Sequence, residues 1–70
     1  MEMNATIILN GSPHAITGET TVGRLLESLG LAGKPVVVEL DGRPVLPRDH
    51  PHTPVRDGAR VEIVTLAAGG

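Results

Sequence analysis

The chain has 70 residues, a formal net charge of -2, no cysteine and no aromatic residue. At this length one domain forms and buries only about 60% of its unfolded surface, which leaves little room for an internal active site beside a core. The missing cysteines exclude disulfides and cysteine-based zinc sites, and the mixed charge with no ring to stack on a base argues against nucleic acid as the main partner.

The core must come from Val, Leu and Ile. Along "ATIILNG", Ile7 and Leu9 fall on one side of a strand and Thr6 and Ile8 on the other, and Asn10-Gly11 is a hairpin signal that returns the chain through a second strand over residues 12–17. From Thr21 the apolar period becomes helical, with Val22, Leu25, Leu26 and Leu29 at i, i+3, i+4 and i+7. Thr20 or Thr21 can cap the start, and Gly30 can take the left-handed position after the end with Leu31 folding back behind it. Gly23 is costly in a first turn, and either a close approach of helix to sheet or drift would account for it.

"PVVVEL" is a strand with Val36, Val38 and Leu40 facing one way and Val37 and Glu39 the other. Asp41-Gly42 turns it into "RPVLP", whose Pro44 and Pro47 place it at a sheet edge. "RDHPHTP" is expected to be a loop. After a second "DG" turn comes a last strand, with Val61 and Ile63 on one face and Glu62, Val64 and Leu66 on the other.

The order ββαβββ points to an α+β fold, the ubiquitin-like β-grasp, with a mixed sheet and one main helix packed on one face. The expected division is a β-grasp domain over residues 1–66 and a flexible Gly-Gly tail over 67–70. No segment approaches the ~18 apolar residues of a membrane span, and the apolar start has no Lys or Arg before it, so a cytoplasmic, soluble protein with no membrane partner is expected.

Few side chains suggest chemistry. His50 and His52 are two residues apart, but two ligands are too few for a tight zinc site and His14 is distant in sequence, so they read as solvated loop histidines and no metal is assigned. No nucleophile has an evident base, the glycines lack phosphate-loop spacing, and no catalytic side chain is assigned. The distinctive group is the carboxylate of Gly70, held out on two glycines without a Cβ to obstruct a narrow cleft. If a separate enzyme places AMP on it, its acyl carbon is open to sulfur, oxygen or nitrogen; the alternative is a frayed terminus. If Val61 and Ile63 face the helix, then Ile8, Val37, Val64 and Leu66 share the opposite sheet face, where they are expected to form an apolar partner-binding patch leading to the tail, the alternatives being ordinary exposure on strands or burial in a dimer.

The "NG" turn, "GETTVGRLLESLGL", "VVVELDGRPVLPRD" and "DGARVEIVTLAAGG", in this order and at these separations, resemble the thiamine-biosynthesis sulfur carrier family over nearly the whole chain. The most specific parts are the helix phrase, the stretch from Val45 to Asp49, and the turn and strand before the glycines. The resemblance implies a β-grasp protein that is a cosubstrate and not an enzyme. An adenylating enzyme related to ubiquitin-activating enzymes would use ATP and Mg²⁺ on the C-terminal glycine, the carrier itself binding no cofactor. Sulfur drawn from cysteine by a desulfurase would make a thiocarboxylate, and thiazole synthase would take that sulfur. By position Gly70 carries the sulfur and Gly69 is the spacer, and Ala68 stands where relatives often have a third glycine.

The residues leave other functions open. The small subunit of molybdopterin synthase shares fold, tail and activation, although such proteins tend to be longer and to carry aromatics. A sulfur carrier of another pathway fits equally well. Isopeptide tagging would use the same activated carboxylate, with little scope for self-linked chains because Lys34 is the sole lysine. A non-covalent β-grasp binding module would never use its terminus.

Overall fold

The structure, a computed structural model, describes residues 4–66. The boundary at residue 67, the proposed tail, Gly69 and Gly70 lie outside the described residues. Strand β1 (Asn4–Leu9) pairs antiparallel with β2 (Ser12–Thr17), Leu9 opposite Ser12. The two-residue link has positive φ at both Asn10 (48°) and Gly11 (84°), the primed turn whose twist matches the strands it joins. Strand β3 (Thr20–Thr21) leads into helix α1 (Val22–Ser28), followed by β4 (Val36–Leu40) and β5 (Arg43–Val45). A 3-10 segment (Pro47–His52), β6 (Pro54–Val55) and β7 (Arg60–Thr65) complete the described chain.

The main sheet has the order β2-β1-β7-β4-β5, with β7 parallel to β1 and antiparallel to β4. The last strand therefore lies in the middle, and this mixed sheet gripping one helix is the ubiquitin-like β-grasp expected from the element order. Both edge strands carry a proline, Pro13 in β2 and Pro44 in β5, where a missing N–H leaves no ladder bond unmade on the solvent side.

Helix α1 has only seven residues, too short to be stable in isolation, and is held by its ends and its buried face. Thr21, not Thr20, is the N-cap, its Oγ1 accepting from the Arg24 N–H at 3.2 Å. The Val22 N–H donates to the Thr53 carbonyl at 2.9 Å. At the other end Gly30 has φ 74°, its N–H donating to the Glu27 carbonyl (3.0 Å) and the Leu31 N–H to the Leu26 carbonyl (2.8 Å). This is the Schellman pattern, and it turns Leu31 back onto the core. Val22, Leu25 and Leu26 are buried against Ile7, Ile16, Val38, Val61 and Ile63 of the sheet. Each such side chain contributes about 1.5–3 kcal/mol on burial.

Two expectations are corrected. "RDHPHTP" is not an unstructured loop: Pro47 starts a 3-10 segment at its first position, Thr53 Oγ1 donates to the Asp49 carbonyl at 2.7 Å, and Pro54–Val55 pair with Thr20–Thr21 in a second, two-stranded sheet. That pairing buries Val55 to 1% exposure, a core position the linear pattern did not reveal. Gly23 approaches this segment and not the sheet: a Cβ there would meet the backbone of His50 and Pro51 at 3.4 Å.

Candidate functional site

The sheet face turned away from α1 carries the candidate surface. Val38 and Ile63 are buried on the helix side, so Val37 and Val64, directly opposite each other in register, project outward. Val37 is 45%, Val64 56% and Leu66 51% exposed. The Leu66 N–H donates to the Pro35 carbonyl at 2.9 Å, a tie that carries the β4 edge one step past β7.

Ile8 does not join them. It is half-buried, in register with Arg60, four positions before Val64 on β7 and so roughly 13 Å away along the strand. Its place in the apolar row is taken by Leu46, 49% exposed, which the sequence reading passed over. Val45 pairs with Val38 and packs on the core, and Leu46 continues extended (φ -70°, ψ 148°), so it faces outward beside Val37. The alternation Val45-in, Leu46-out was the signal, obscured by the prolines on either side. Next to this row Glu39 and Glu62 stand directly opposite each other, two like charges on neighbouring strands of the same face.

The histidines lie elsewhere. His50 Nε2 is 3.2 Å from the Val45 carbonyl and His52 is exposed. Among the described residues no three His, Asp or Glu side chains gather as a metal site would require, and every buried side-chain polar atom has a partner. The concavities are open clefts, such as one of about 470 Å³ between α1 and the 3-10 segment. Among the described residues no helix is long and apolar enough to cross a membrane.

The turn before β7 and the strand's first residue are tied by side chains. Asp41 Oδ1 accepts from the Arg60 N–H and Asp57 Oδ1 from the Thr6 N–H, each at 2.9 Å. Further along, the Asn10 carboxamide meets both backbone groups of Ile63. The strand leading to the chain's last residues is thus central, fastened and flanked by exposed aliphatic side chains.

A β-grasp body whose middle strand ends beside an exposed apolar row defines a protein of the ubiquitin-like class. Within that class the chain belongs to the ThiS family, whose model matches residues 7–70. It is 40% identical over 62 residues to the sulfur carrier protein ThiS of Thermus thermophilus, covering 89% of this chain and 95% of that one. The crystal structure of the thiamine biosynthesis protein ThiS from Geobacter metallireducens superimposes with a TM-score of 0.78 at 32% identity, covering 93% of this chain and 99% of that one.

Proposed function

We propose that the chain is a sulfur carrier of thiamine biosynthesis, a protein cosubstrate and not a catalyst, with Gly70 as the group that is loaded. The observation that carries this reading is the family match, which runs through Gly69 and Gly70, on a fold whose central strand leads toward them. A separate adenylating enzyme holds ATP and Mg²⁺. The Gly70 carboxylate attacks the α-phosphorus, pyrophosphate leaves, and an acyl-adenylate results. Hydrosulfide, released from a cysteine desulfurase's persulfide by a thiol reductant that is itself oxidised to a disulfide, or supplied by another donor, adds to the acyl carbon and AMP departs, leaving a thiocarboxylate. Thiazole synthase is the acceptor. Gly69, lacking a Cβ, lets the end enter the partner's cleft.

Val37, Val64, Leu66 and Leu46 are the surface on which the adenylating enzyme docks, since a contiguous exposed aliphatic row marks an interaction site more often than chance exposure does. From Leu66 the four remaining residues reach at most about 14 Å, so docking must bring this face close to the partner's ATP site.

The deciding measurement is intact mass after incubation with ATP, Mg²⁺, the adenylating enzyme and a sulfide source. The expected result is exchange of one oxygen for one sulfur, absent in the variant lacking Gly70. No mass change with any adenylating enzyme, together with full function after deletion of Gly69 and Gly70, would instead identify a binding module.

A further inference from the structure

Strand β1 departs from β7 early, its register ending with Leu9 opposite Val61. The Asn10 N–H still donates to the Val61 carbonyl at 2.9 Å, and then the backbone turns away with φ 48°. Ile63, two residues on, presents its own N–H and C=O to the same edge, where β1 has no residue left to meet them. The Asn10 side chain meets both. Its Oδ1 accepts from the Ile63 N–H at 2.7 Å, and its Nδ2 donates to the Ile63 carbonyl at 3.2 Å. A carboxamide has one acceptor and one donor side, as a peptide group does, so it replaces the missing strand residue.

Among the described residues, Ile63 is the last of β7 whose backbone is bonded on the β1 side; beyond it Val64 and Leu66 are held from the β4 side alone, through Val37 and Pro35. We infer that Asn10 is a positioning residue for the encounter with the adenylating enzyme. By closing the β1 edge at Ile63 it fixes the segment that presents Val64, Leu66 and the chain beyond them. This inference rests on the function proposed above. The turn alone would be satisfied by glycine, which takes positive φ without steric cost. The clamp needs the amide, since aspartate would set a carboxylate oxygen against the Ile63 carbonyl.

Asn10→Gly therefore removes the clamp and keeps the turn, and Asn10→Asp keeps only the acceptor. The experiment combines ATP–pyrophosphate exchange by the purified adenylating enzyme of the same organism, at varied carrier concentration, with amide hydrogen exchange on the carrier alone. For Asn10→Gly the expected result is a carrier KM raised roughly tenfold, equivalent to about 1.4 kcal/mol. The kcat is unchanged, the Ile63 and Leu66 amides exchange faster, and the Val38 amide does not. Asn10→Asp falls between, and Thr21→Ala, which destabilises the distant helix cap, leaves KM at the wild-type value. Faster exchange at Ile63 with an unaltered KM overturns the inference, as does a KM rise matched by Thr21→Ala. A wild-type chain that the enzyme does not adenylate overturns the proposed function and this inference together, whereas the preceding outcomes remove the inference alone.

Discussion

Glu39 and Glu62 show how a single pair can be at odds with its own scaffold. On an antiparallel pair, side chains directly opposite lie about 5 Å apart at Cβ, and like charges there are destabilising by roughly 0.2–1 kcal/mol. The backbone register fixes the pair, so neither residue can move away without losing its ladder. Glu62→Gln should accordingly stabilise the free chain by about 0.5 kcal/mol in urea unfolding, with an unchanged slope, and a loss of stability would show that these carboxylates are held by something other than their register. Gly23→Ala belongs to the same scale. The added methyl would touch the His50 and Pro51 backbone at 3.4 Å, an ordinary contact distance, so the helical gain should dominate. The expected change is a gain of about 0.5 kcal/mol, and a loss would mean that the 3-10 segment cannot accept the contact.

At the scale of elements, what could be read from the chain depended on how local the cause was. Alternation in "TIIL", "VVVEL" and "RVEIV" sorted inner from outer side chains, and Gly30 announced the helix end, because one residue's pattern or φ decides each. The Thr20–Thr21 and Pro54–Val55 pairing was not legible, since two-residue strands have no period and exist only because tertiary contacts join segments more than thirty residues apart. Pro47 read as the end of an edge strand and Pro51 as a loop signal, yet proline suits the first position of a 3-10 turn, where Pro47 stands, and the Thr53 hydroxyl bond closes the turn behind it. Asn10 was legible as a turn residue but not as a clamp, because its partner Ile63 lies 53 positions away. Two stability predictions follow from these causes. Gly30→Ala forces a Cβ into φ 74° and should cost about 1 kcal/mol. Val55→Ala, in the element hidden from the sequence, removes two buried carbons and leaves a small void, costing about 2 kcal/mol in thermal or urea unfolding.

At the scale of the whole molecule, the fold separates two tasks between the faces of one sheet. The inner face, with α1 upon it, holds the aliphatic core. The outer face is thus free to carry side chains that contribute little to stability, and the exposed row of Leu46, Val37, Val64 and Leu66 sits there. Changing that row should leave folding nearly intact while altering docking, and the residues should separate by position and not by hydrophobicity. Val64→Asp and Leu46→Asp each place a charge where a partner's apolar side chains must pack, and each should weaken binding to the adenylating enzyme at least about tenfold by calorimetry, because an unpaired charge desolvated at an interface is costly. Ile8→Thr, roughly 13 Å along the strand from Val64 and beside Arg60, should leave that affinity within about twofold. If Ile8→Thr weakened binding while Leu46→Asp did not, the docking surface would lie toward the β1–β2 edge. The partner would then approach from the start of β7, away from the end that leads to Gly70, and the row beside that end would be ordinary exposed aliphatic surface.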